Sequence, residues 1–221
     1  MTRLAVFDCD GTLVHSGSTI YTALSRTFRE KGIAVPAEDV AHRVIGLSLV
    51  EAMAALLPGE TPDAHIDLAE DYKRHFLALR AAGAVAEPLF DGVLALLDAL
   101  EADGWLLAVA TGKSERGLRH CLNSHDIHAR FVSLQTADQH PSKPHPSMVL
   151  QAIADAGAAP ETTFVLGDTS FDMAMAAAAG ATPIGAGWGY HEPEELIEAG
   201  AVAVAMRPSD VLALAREHQH G

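Results

Sequence analysis

Two carboxylates stand two residues apart where a short apolar run ends: Leu4 to Phe7 leads into Asp8-Cys9-Asp10-Gly11-Thr12. Alternate residues of a strand face the same side, so Asp8 and Asp10 share a face while Cys9 turns towards the interior. Gly11 permits a sharp exit from the strand. Neighbouring carboxylates repel each other, which calls for a divalent cation, and such a pair can divide acid and base work. The same residues also fit a plain Asp and Gly turn at a strand end, so the rest of the chain has to decide.

Two further apolar runs end on polar groups, Leu106 to Ala110 before Thr111 and Phe164 to Leu166 before Gly167-Asp168. Both read as strands buried on two faces. Between them Val93, Leu94, Leu97 and Leu100 mark a helix that ends at Gly104. Alternating strands and helices predict an α/β fold, a Rossmann-like doubly wound parallel sheet. Ligands bind beyond the carboxyl ends of such strands, so Asp8, Thr111 and Asp168 are expected to converge at one edge. Asp172, four residues after Asp168 and one turn into a helix, can face the same place. It also suits a helix N-terminus as a charge complementing the dipole, and the two roles are compatible.

Residues 16–83 read differently, as helices without strands. Ile20, Tyr21, Leu24 and Phe28 mark one, Val50, Met53, Ala54 and Leu57 a second closed by Pro58-Gly59, and Ile66, Ala69, Tyr72, Phe76 and Leu79 another. An all-helical cap inserted at 16–83 into a core of 1–15 and 84–221 is therefore expected. The last strand is expected at Ala201 to Ala205, with a helix from about Ser209 and a polar tail holding His218 and His220.

The composition is that of a globular protein, 49% hydrophobic and 20% charged, with a net charge of −14. So acidic a chain gains nothing from nucleic-acid backbones or anionic membranes, and neither is an expected partner. Cys9 and Cys121 suggest a reducing compartment or buried thiols, and both read as small core residues. Asp8 and Asp10 interrupt the only apolar stretch near the start, so no secretory signal and a cytoplasmic place are expected. Met173 to Tyr190 carries no charge, but Gly180, Pro183, Gly185, Gly187 and Gly189 break it into a short helix, a strand and a loop. Gly185 to Gly189 looks like a phosphate-binding loop, yet no helix opens on it at the required spacing. The twelve histidines are scattered and do not suggest a metal site.

Taken in order, four segments resemble the motifs of the haloacid dehalogenase-like hydrolase superfamily. Asp8 to Thr12 is similar to the first, Thr111-Gly112-Lys113 to the second, Lys143 in Lys143-Pro144-His145-Pro146 to the third, and Gly167 to Asp172 to the fourth. The resemblance covers essentially the whole chain, cap included, and the layout is similar to the phosphoglycolate-phosphatase-like branch. It implies Mg²⁺-dependent hydrolysis of a small phosphate monoester, with phosphoglycolate as a candidate. Asp8 would be the nucleophile that forms an aspartyl-phosphate, and Asp10 would protonate the leaving alkoxide and then deprotonate water.

The resemblance further implies that Asp8 and Asp168 bind the metal through their side chains and Asp10 through its backbone carbonyl, with Asp172 outside them or linked through water. Lys143, the Thr111 hydroxyl and the Gly112 N–H would hold the phosphoryl oxygens. Lys113, another of only four lysines, is expected to point to solvent. Arg43 is the candidate cap contact to a substrate anion, beside the plainer reading of a surface charge at a helix end. His15 departs from the Asp that related phosphatases often carry there, at the flap between core and cap. The expected partner is a small phosphorylated metabolite, and the protein a monomer or small homo-oligomer.

Other chemistries on the same fold fit less well. A dehalogenase needs neither Mg²⁺ nor an acid at Asp10, and phosphonate hydrolysis uses a cap lysine, for which only Lys31 and Lys73 are available. A sugar-phosphate mutase of the β-phosphoglucomutase kind uses the same two aspartates and stays the main alternative. A non-catalytic binding module conflicts with the intact set of Asp8, Asp10, Thr111, Lys143 and Asp168. On this reading Asp8→Asn and Lys143→Ala each remove turnover and leave the fold intact.

Overall fold

In the computed structural model, which describes residues 1–218, six parallel strands form one sheet in the order β3-β2-β1-β4-β5-β6. They are β1 (Arg3–Phe7), β2 (Trp105–Thr111), β3 (Phe131–Thr136), β4 (Thr163–Gly167), β5 (Thr182–Ala186) and β6 (Ala203–Ala205). β1 lies at the centre, with Phe7 opposite Val109 of β2 on one side and Leu166 of β4 on the other. The chain winds one way from β1 to β3 and the other way from β4 to β6, so the order reverses beside β1. In an open α/β sheet that crevice is where ligands bind.

Side-chain alternation along the strands builds a core on each face. Ala5, Phe7, Leu107, Val109, Phe164 and Leu166 pack with α5 (Val93–Ala102), α6 (Glu115–Ser124) and α10 (Val211–His218). Leu4, Val6, Ala108, Ala110 and Val165 pack on the other side with α7 (Ser147–Ala156) and α8 (Ser170–Ala178). The same alternation carries Cys9 into the first core.

Between β1 and β2, before α5, the regular elements are all helices: α1 (Gly17–Glu30), α2 (Glu38–His42), α3 (Leu49–Leu56) and α4 (Pro62–Ala81), with an isolated bridge between Val14 and Leu89 where the chain leaves and re-enters the core. Their apolar faces enclose a separate cluster of Leu24, Phe28, Ala41, Met53 and Leu68. Thr61 caps α4 by accepting from the Ala64 N–H, and Pro62 occupies the first turn, where its missing N–H is harmless. α9 (Pro193–Glu198) follows β5. Met173 to Tyr190 comprises most of α8, β5 and a glycine-rich turn, and among the described residues no helix is long and apolar enough to cross a membrane. The last strand is shorter than expected, and a 3-10 turn over Pro208–Asp210 precedes α10. His218 closes α10, whereas His220 lies outside the described residues.

Candidate active site

The centre of the sheet delivers Asp8 to the carboxyl edge, and β4 delivers Asp168 beside it. Asp172 joins them because α8 starts at once: Thr169 and Asp172 form a capping box, in which the Asp172 carboxylate accepts from the Thr169 N–H at 3.1 Å and its hydroxyl at 2.6 Å. One carboxylate oxygen from each of Asp8, Asp168 and Asp172 lies within 4.8 Å of the others, and all three residues are buried. The loop after β3 brings in Lys143, whose ammonium sits 2.9 Å from Asp8 and 2.7 Å from Asp172. Its side chain is 0% exposed, so the pair is fully withdrawn from water.

The surroundings fix each carboxylate. Asp168 accepts from the Thr12 hydroxyl at 2.7 Å and the Tyr190 N–H at 3.0 Å. Three glycines let the chain close around the acids: a Cβ on Gly11 or Gly189 would lie 2.1 Å from Asp168, and one on Gly167 would lie 2.3 Å from Asp172. Gly11 also has φ +89°, a left-handed conformation that suits glycine. Gly185 to Gly189 thus packs against Asp168, while the Trp188 ring N–H donates to the Thr12 carbonyl.

Electrostatically the group is unbalanced, with three buried carboxylates against one ammonium. Burial pushes Asp8 up to about 7, against the pull of Lys143 and with the help of Asp172 and Asp10. Burial, then the charges of Asp8 and Asp172, push Asp168 well above the usual carboxylate range. Burial works against Lys143, but Asp172 and Asp8 outweigh it and hold its ammonium above the ordinary value. Asp8 Oδ2 is buried with no hydrogen-bond partner. An orphaned carboxylate oxygen in a group with excess negative charge is what a hard divalent cation takes as ligands.

Asp10 lies apart from the other three carboxylates, on the cap side. Its Oδ1 accepts from the Ser16 hydroxyl at 2.5 Å and the Lys113 ammonium at 2.8 Å. Lys113 therefore does not point to solvent: its side chain is 9% exposed and it also binds Glu87 at 2.8 Å. Two carboxylates overcome the desolvation that would otherwise send a lysine outward. Glu87 and Ser16 carried no motif that could single them out.

Thr111 is buried at the end of β2, and Gly112 sits under the segment that links α2 to α3, where a Cβ would lie 2.4 Å from the Leu47 carbonyl oxygen. Arg43, by contrast, ion-pairs with Glu195 of α9, its side chain 54% exposed. It does not line the cavity above Asp10, because that ion pair directs its guanidinium to α9. His15 stacks edge-on against Phe90 at 5.5 Å, and His191 links the Ser170 N–H to the Arg43 carbonyl. Cys9 and Cys121 are free and buried.

The family profile of haloacid dehalogenase-like hydrolases matches residues 5–186. The chain belongs to that family. It is 34% identical to the protein named "Probable phosphatase IndB" of Dickeya dadantii, over 97% of this chain and 94% of that one. It is also 34% identical to a phosphoglycolate phosphatase of Rhodospirillum rubrum, covering 92% and 87%. With the tyrosine-protein kinase PtkA of Mycobacterium tuberculosis it shares 33% identity over 85% of its own length but only 63% of the kinase's. The solved structure of a hydrolase from Pseudomonas syringae superposes with a TM-score of 0.85 at 25% identity, covering 98% and 99%. As a haloacid dehalogenase-like hydrolase whose buried aspartates meet at the sheet edge, the protein is an enzyme of the phosphatase type.

Proposed function

We propose that the protein hydrolyses small phosphate monoesters in two steps through an aspartyl-phosphate on Asp8, with Mg²⁺ as its cofactor. In this reading residues 16–83 act as a cap on a core of 1–15 and 84–221. The observation that carries it is the buried group of Asp8, Asp168 and Asp172 around Lys143, with Asp8 Oδ2 unpartnered. Those residues fit a divalent cation: Asp8 and Asp168 would hold it with the Asp10 carbonyl, and Asp172 is close enough to join or to bind through water. Bound there, Mg²⁺ supplies positive charge that offsets the carboxylates and polarises a phosphoryl oxygen.

This chain's own groups do the rest. Asp8 attacks phosphorus and a new O–P bond forms as the ester P–O bond breaks, while Asp10 gives a proton to the leaving alkoxide. Asp10 then takes a proton from water, which attacks the phosphorus of the acyl phosphate, releasing inorganic phosphate and restoring Asp8. Lys143, the Thr111 hydroxyl and the Gly112 N–H neutralise charge on the phosphoryl oxygens. Lys113 and Ser16 hold the Asp10 carboxylate in place.

The names of two relatives support a phosphatase, and one of them makes phosphoglycolate a candidate substrate. The buried free thiols support a reducing, cytoplasmic setting. The test is phosphate release from an aryl phosphate, phosphoglycolate, other alkyl phosphates and ATP, with Mg²⁺ or EDTA, beside Asp8→Asn. Release that needs Mg²⁺ and Asp8 is expected. Isomerisation of a sugar phosphate that depends on a bisphosphate, with little net release, would replace the hydrolase by a mutase.

A further inference from the structure

Resting on that reading, we propose that the ester hydrolysed carries an apolar, ring-sized leaving group without a second anionic charge. The cavity above Asp10 has a volume of about 490 Å³. A cavity of about 150 Å³ holds a benzene ring, so the glycolate of phosphoglycolate would leave most of this space to water. Much of its wall is apolar: Ile20 and Leu24 from α1, Val50 and Met53 from α3, Tyr72 and Phe76 from α4. The rings of Tyr72 and Phe76 lie 5.9 Å apart at 32°, forming one aromatic side. Val50 and Leu77 line the cavity while remaining 37% and 41% exposed, so apolar surface is left for a ligand to cover.

The cations around the cavity are mostly engaged already. Lys113 is held by Asp10 and Glu87, and Lys73 by Glu70 at 2.7 Å. Arg80 lies 3.6 Å from Glu87, with its guanidinium 5.2 Å from the centre of the Phe76 ring. Arg116 and, with the opposite sign, Asp138 add further exposed charges at the rim. A carboxylate on the leaving group would have to compete with this chain's own acids. Arg80 Nε and Nη2 nevertheless lack hydrogen-bond partners, and with the charge balanced by Glu87 the fitting acceptor is neutral, a hydroxyl or carbonyl oxygen on the ring.

The experiment compares kcat/KM of the Mg²⁺-loaded enzyme for phosphoglycolate and for ethyl, n-hexyl and 2-phenylethyl phosphate. The three alkanols have similar acidity, so the series reads binding of the leaving group. Burial is worth roughly four-fold per methylene, and hexyl and phenylethyl phosphate are expected to exceed ethyl phosphate and phosphoglycolate by on the order of 100-fold. Leu77→Glu, at an exposed position of the cavity wall outside the catalytic set, should lower kcat/KM for the two apolar esters about ten-fold relative to ethyl phosphate. Preference for phosphoglycolate, a flat series, or equal losses on every ester in the variant would overturn the inference and leave the hydrolase intact. No release from any ester would overturn both.

Discussion

Lys143 decides more at the residue scale than its place in a short motif indicates. Its ammonium is the only positive charge in contact with Asp8 and Asp172 among the described residues, and it is fully buried. Removing one partner of a buried ion pair costs about 3–5 kcal/mol, so Lys143→Ala should lose activity and also that much stability in a urea titration without metal. The expectation of an intact fold in this variant then applies with a smaller margin of stability, because Lys143 is also the buried counter-charge of Asp8 and Asp172. The same excess of negative charge predicts that Mg²⁺ raises the melting temperature, by about 2.7 kcal/mol of linkage at a concentration of 100 Kd. EDTA should reverse it, and no shift in a thermal scan would count against a cation at this site. Lys113→Met should lower kcat about 10–100-fold for an alkyl phosphate and less for an aryl phosphate, whose leaving group needs little protonation. Equal losses would show that Lys113 does not act through Asp10.

The elements explain how far the site could be read from the chain. β1, β2 and β4 are uninterrupted apolar runs because helices cover both faces, so Asp8, Thr111 and Asp168 stood out as polar groups at their ends. β3 escaped notice because it lies at the sheet edge and mixes types: Val132 is exposed, while buried Ser133 and Gln135 are satisfied by the Asp155 carboxylate at 2.7 and 2.8 Å. α2, with five residues, is too short to show a period. Lys113 was misread because its partner Glu87 comes from a distant loop that no spacing links to it. At the start of α8, Thr169 both caps the helix and holds Asp172. Thr169→Ala should cost about 1 kcal/mol of stability and weaken Mg²⁺ binding, measured by calorimetry; unchanged metal affinity would separate the cap from the site.

Across the whole molecule, contacts between the helical unit and the sheet edge set the roof of the site. The Ser48 N–H donates to the Ser142 hydroxyl at 2.8 Å, His191 reaches the Arg43 carbonyl, and Arg43 itself grips Glu195. Arg43 thus serves the join between α2 and α9. A second long-range clip gathers the ends of the chain on Asp103, where Arg216, Trp105 and Arg3 hold its carboxyl down to about 2. A folded pKa below the unfolded one means stability that is in force above about pH 4 and is lost as pH falls through about 2. Asp103→Asn should therefore melt lower than the parent protein at pH 7, with the difference closing towards pH 2. A gap that stays constant with pH would assign the effect to packing.

The most direct test of the central claim is to trap the covalent intermediate. The enzyme is quenched in acid during turnover of an aryl phosphate, the acyl phosphate is reduced with borohydride, and the peptide holding residue 8 is read by mass spectrometry. Homoserine at position 8, formed only with substrate and Mg²⁺ and not in Asp8→Asn, is the predicted result. Steady phosphate release with Asp8 unchanged would contradict it.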